Sequence, residues 1–121
     1  MLDFKNNSYS GWWYASKNSH EPQHYHSGIS QGTVLDGEII LICDNEEFRL
    51  QKNDGFLLPP QIKHTAEIIV GKEGFLFFGT IVGNTVYEDR NEILNVESYF
   101  NMISNYYREQ KIDMNHITVN R

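Results

Sequence analysis

Val34-Leu35-Asp36-Gly37-Glu38-Ile39-Ile40-Leu41-Ile42 is apolar on both sides of one glycine. It reads as strand around a bulge or bend at Gly37, because glycine inside a strand pattern marks a kink. Working outward, Asp44-Asn45 forms a hairpin turn into Phe48-Arg49-Leu50, and Asn53-Asp54-Gly55 turns the chain into Phe56-Leu57-Leu58. Pro59-Pro60 ends that strand. Thr65 to Val70, a turn at Gly71 to Gly74, and Phe75 to Val82 follow, and Gly83-Asn84 and Asp89-Arg90-Asn91 punctuate two more short strands. Short strands and turns at this spacing, from about Trp12 to Val96, predict an all-β sandwich or barrel.

The pattern changes after Asn95. Val96, Tyr99, Phe100, Ile103, Tyr106 and Tyr107 recur at three- and four-residue intervals, the stripe of an amphipathic helix. Asn95 suits the N-cap and Glu97 the first turn. The stripe is expected to pack on the barrel or on a second subunit, and the polar tail from Ile112 to Arg121 to be loosely held. No internal repeat is visible. The expectation is one domain over residues 1–121, with a barrel over about 12–95 and a C-terminal α-helix over about 96–110.

Composition narrows the function. The 121 residues are 40% hydrophobic and 13% aromatic, which suits a folded domain with a sizeable core. Ten Lys and Arg stand against 16 Asp and Glu, a formal charge of -6, with no basic cluster. This argues against nucleic acid or an anionic membrane as partner. Cys43 is the only cysteine, so no internal disulfide can form, and its place in an apolar run reads as a buried strand residue rather than a nucleophile. Met1-Leu2-Asp3-Phe4-Lys5 has no apolar signal core and no membrane-length run is present, so a cytoplasmic location is expected.

The chemistry lies in the histidines. His24 and His26 are two apart, so on a strand both side chains project from one face and can grip one ion. His64 comes 38 positions after His26, a separation at which a small barrel can return the chain beside the first strand. Pro59-Pro60-Gln61-Ile62-Lys63 would hold it on a stiff turn. Imidazole is the commonest neutral metal ligand, and three imidazoles leave positions open for water, dioxygen or substrate. His20 and His116 fall in polar segments and read as solvated. Trp12, Trp13 and Tyr14 precede the pair and serve either as core or as a pocket mouth that stacks on an aryl substrate. Phe75, Phe77 and Phe78 must divide between two strand faces. Glu67 stands an odd number of residues from His64, which on a regular strand aims it away from the site.

Two stretches carry a family resemblance. His24-Tyr25-His26-Ser27-Gly28 with Gly32-Thr33-Val34-Leu35-Asp36-Gly37-Glu38 resembles the first cupin motif, and Asp54-Gly55-Phe56-Leu57-Leu58-Pro59-Pro60-Gln61-Ile62-Lys63-His64 resembles the second. The resemblance implies a cupin jelly-roll (double-stranded β-helix) barrel of six to eight strands, with His24, His26 and His64 as metal ligands. Most cupins add a glutamate ligand a few residues after the pair. Here that position falls on Ser30 or Gln31, which implies a neutral three-histidine site and sets the chain apart from oxalate-degrading and germin-like cupins. Gln31 and Ser30 are then pocket candidates, with Trp12 and Trp13.

More narrowly, the chain is similar to cupins of the 2,4'-dihydroxyacetophenone dioxygenase kind, which share a fold with acetylacetone dioxygenase and with ChrR-type sensor domains. The segment Gly83 to Asn91 and the helix after it look like that subfamily's ending. This implies a non-haem Fe(II) dioxygenase that cleaves a carbon–carbon bond beside a carbonyl in a small β-diketone or hydroxyketone. No catalytic residue beyond the metal ligands is required, and a homodimer is implied. Zn, Ni, Mn or Cu remain open as the metal, since imidazole sites also follow availability. A small-ligand-binding or sensory cupin without turnover, and a non-oxidative isomerase or lyase, remain open as functions. ChrR-type proteins carry an appended helical zinc domain, and none is expected from these 121 residues, which counts against a close functional match.

Overall fold

A computed structural model of the chain describes residues 2–3 and 6–109. Eleven strands appear among the described residues: β1 (Leu2–Asp3), β2 (Ser8–Ala15), β3 (Ser19–His26), β4 (Ser30–Asp36), β5 (Glu38–Cys43), β6 (Glu46–Leu50), β7 (Gly55–Leu58), β8 (His64–Ile69), β9 (Phe75–Val82), β10 (Thr85–Tyr87) and β11 (Glu92–Leu94). They form two antiparallel sheets, of order β1-β2-β9-β4-β7 and β11-β10-β3-β8-β5-β6. The strands begin before Trp12, since β2 starts at Ser8.

The turns follow local chemistry. Asp44 and Asn45 join β5 to β6 with φ of 51° and 64°, the paired positive dihedrals of a tight hairpin. Gly37 has a larger role than a bulge. It stands between β4 in one sheet and β5 in the other, so the chain changes sheets at this residue. Its φ is +80°, and an added Cβ would lie 2.9 Å from the Ile69 carbonyl oxygen, which leaves no room for a side chain.

The inner faces of the two sheets make the core. On β2 the burial alternates strictly, with Tyr9, Trp13 and Ala15 turned inward. Val34, Ile39, Leu41, Ala66, Ile68, Phe75 and Ile81 complete the centre. Helix α1 (Val96–Glu109) closes one side. The Asn95 side chain caps it, its Oδ1 accepting from Ser98 N at 2.8 Å. Val96 and Tyr99 are buried, and Phe100 packs against Tyr9 and Trp13, so the helix docks on the barrel. Burial of Ile103, Tyr106 and Tyr107, residue 110, and the tail from Ile112 lie outside what is described.

Candidate metal centre

His24 and His26 project from the end of β3, and His64 opens β8, the strand paired with it. His24 and His64 are direct cross-strand partners. The turn before His64 is tied to the pair, because Gln61 N donates to the His26 carbonyl oxygen at 2.8 Å. The three rings are 95% buried or more, and one ligating atom from each lies within 4.8 Å of the others. Ring centroids are 4.3 Å apart for His24 and His64, 5.0 Å for His24 and His26, and 5.4 Å for His26 and His64.

Each Nδ1 is already occupied. That of His24 meets the Pro22 carbonyl at 2.8 Å, and that of His64 meets the Ile62 carbonyl at 2.9 Å. A carbonyl can only accept, so both Nδ1 atoms carry a proton, and Nε2 is the atom of each ring left to face an ion. The His26 Nδ1 meets the fully buried Thr85 hydroxyl at 2.8 Å. These contacts fix ring orientation as outer-shell partners do in metal sites. Burial and the neighbouring His24 and His64 rings hold His26 well below the usual histidine pKa, and burial with His24 lowers His64 to about 4. Both are therefore neutral near pH 7, the state in which imidazole binds metal. The donor set fits a divalent ion.

The cavity over the histidines is mostly apolar, walled by Trp13, Leu41, Phe75, Phe77 and Ile81. Its free volume is about 60 Å³. One water needs roughly 10–15 Å³ on this measure, so the space suits a ligand of a few heavy atoms. Ser30 is buried and faces in. Gln31 is exposed by strand alternation yet borders the cavity at its rim. Of the tryptophans only Trp13 lines the space. Trp12 lies on the opposite face of β2, edge-on to Phe78, so it is no part of the pocket. The Trp13 Nε1 is buried with no acceptor among the described residues.

His20 is exposed, its Nδ1 4.0 Å from a carboxylate oxygen of the exposed Glu67, so neither enters the site. His116 lies outside the described residues. Cys43 is buried, and burial with Asp44 and Glu46 pushes its thiol pKa up, which opposes a thiolate.

Sequence reasoning missed three residues. Thr85 reaches His26 only through the pairing of β10 with β3, which no spacing reveals. Glu21 and Tyr99 also border the cavity, and the Tyr99 hydroxyl donates to Glu21 Oε2 at 2.8 Å. The available signal was Pro22, because proline inside a strand pattern marks an edge or a bulge.

A double-stranded jelly roll with three buried, converging histidines defines a cupin. The Cupin_2 model, a cupin domain, matches residues 12–78, more than half of the chain, and the chain belongs to this family. An acetylacetone dioxygenase from Acinetobacter johnsonii shares the fold at TM-score 0.65 and 11% identity, over 85% of this chain and 72% of that one. An RmlC-like cupin from Shewanella frigidimarina does so at 0.55 and 21%, over 70% and 72%. A cupin superfamily protein from Desulfitobacterium hafniense aligns at 0.51 and 17% over 60% of this chain, and the match spans 63% of that protein's length. Among curated proteins none matches the chain by sequence.

Proposed function

We propose that this cupin is an Fe(II)-dependent dioxygenase that cleaves the carbon–carbon bond beside a carbonyl in a small β-diketone or hydroxyketone. The observation that carries the reading is the convergence of His24, His26 and His64, each held by its second nitrogen, beneath a small apolar cavity. Bound there, Fe(II) supplies a redox-active Lewis acid for an anionic chelating substrate and dioxygen. The fold shared with the Acinetobacter acetylacetone dioxygenase supports the assignment.

The chain's own residues bind, orient and exclude. Three neutral imidazoles add no charge of their own, which favours an enolate over a neutral ketone. Phe75, Phe77, Leu41 and Ile81 shed water on ligand entry and offer apolar contact to alkyl groups. The Ser30 hydroxyl, inward on β4, and the unpartnered Trp13 indole N–H are donors suited to a carbonyl oxygen.

The test is oxygen uptake by anaerobically purified, Fe(II)-loaded protein given small β-diketones and hydroxyacetophenones. Consumption of dioxygen in step with substrate is expected, and it should vanish with bound iron in His64→Ala. Tight metal binding with no uptake on any of these compounds would reject the dioxygenase reading in favour of non-oxidative chemistry or ligand sensing.

A further inference from the structure

We propose that Glu21 is a fourth protein donor to the metal ion held by His24, His26 and His64. The inference rests on the metal-site reading above and adds a carboxylate from upstream of the histidine pair. On a regular strand, residues three apart face opposite sides, so Glu21 would point away from His24. The pairing of β3 with β8 removes that objection. Glu21 stands opposite Ala66 and His24 opposite His64, so Pro22 and Gln23 together oppose the single residue Thr65. This extra residue is a β-bulge, and it reverses the alternation. Pro22 and Gln23 are both exposed, while Glu21 turns inward to line the cavity. Proline is tolerated here because a bulge leaves the ladder incomplete.

The resulting geometry suits coordination. Glu21 Oε2 lies 3.6 Å from His24 Nε2, the ring nitrogen that does not face the Pro22 carbonyl. Two donors each about 2.0–2.2 Å from one ion lie roughly 3–3.6 Å from each other, so the observed spacing falls at the upper end of a shared site. The carboxylate leans on His24 rather than sitting among all three imidazoles, and a turn about its side-chain bonds brings it to the ion. Its side chain is 24% exposed, which leaves room for that turn. Tyr99 steadies the same oxygen from α1, as outer-shell hydrogen bonds steady ligating carboxylates. Ser30, inward at the place downstream of the pair, offers no carboxylate. A bound Glu21 lowers the net charge of the substrate-free centre and holds one position that the chelating substrate of the proposed reaction would have to claim.

Co(II) titration of metal-free protein tests this, reading the dissociation constant and the visible ligand-field spectrum together. Glu21→Gln is expected to weaken binding by more than about tenfold and to shift the absorption bands, whereas Tyr99→Phe, which keeps the carboxylate, should retain the band pattern with a smaller loss. An unchanged spectrum in Glu21→Gln, whatever its affinity, would place the carboxylate outside the coordination sphere and overturn the proposal while leaving the histidine site intact. Wild-type protein that takes up neither Co(II) nor Fe(II) would instead overturn the metal reading itself. Should circular dichroism show Glu21→Gln unfolded, Glu21→Asp decides in its place: moved bands support coordination and unmoved bands refute it.

Discussion

The two walls of the cavity are built on opposite plans. The wall from the six-stranded sheet presents His24, His26 and His64, and each ring is tied to a carbonyl or to Thr85. The facing wall, from β2, β9 and β4, is nearly bare of polar anchors. Gly11, Gly79 and Gly32 form one cross-strand row there, and the next row is Trp13, Phe77 and Val34. Missing side chains in the glycine row make space that the Phe77 ring covers, since a Cβ added at Gly32 or Gly79 would meet that ring. One wall fixes directions and the other fixes shape. Substitutions on the two walls should therefore separate metal affinity from folding stability.

The largest effect should come from the directing wall. Thr85→Val keeps shape and removes the hydroxyl that orients His26. Metal affinity is expected to fall about 10- to 100-fold, the range for loss of an outer-shell partner. Calorimetric titration with Zn(II) would show it, and unchanged affinity would mean that packing alone orients the ring. Gly32→Val probes the other wall. Its side chain would collide with Phe77, which stacks between Phe56 and Phe75 at 5.6 and 6.1 Å. Overpacking of this kind costs about 1–3 kcal/mol. Chemical denaturation should register that loss while Zn(II) affinity of the folded protein stays near wild type. A matching drop in affinity would break the division between the walls.

How legible these walls were in the sequence depended on the range of the forces that make them. The Asp44-Asn45 hairpin and the Asn95 cap are local, decided by residues within one turn, and both could be read directly. Gly37 was readable as a break but not as the passage between sheets, because that depends on which distant strands β4 and β5 pair with. The His-x-His pair and the proline-held His64 were legible because period-two alternation and a stiff turn need no partner strand. Trp12 and Trp13 were not separable, since alternation says that they face opposite sides but not which side is inner. Glu21 was hidden for a related reason. Counting along β3 alone points it outward, and only the count on β8 exposes the bulge.

The smallest expected effect concerns protons and belongs to the directing wall alone. In the metal-free protein His26 lies well below the ordinary histidine pKa and His64 near 4. An unfolded chain takes up protons on both as pH falls through about 6.5. The folded chain does not, so the unfolded state binds more protons and stability must fall with pH across that window. The contribution is complete above the unfolded value and is lost toward pH 4, at about 1.4 kcal/mol per pH unit for each such histidine. Tyr9, on the facing wall, is pushed up to about 12 by burial and has no part in this range. Unfolding free energies of metal-free protein at pH 7, 6 and 5 should therefore decline more steeply in wild type than in His64→Gln, which removes one titrating ring. Gly32→Val should be less stable throughout yet keep the wild-type slope. Equal slopes in wild type and His64→Gln would show that the ring takes up its proton alike in both states, and the neutral form of His64 would lose its electrostatic support.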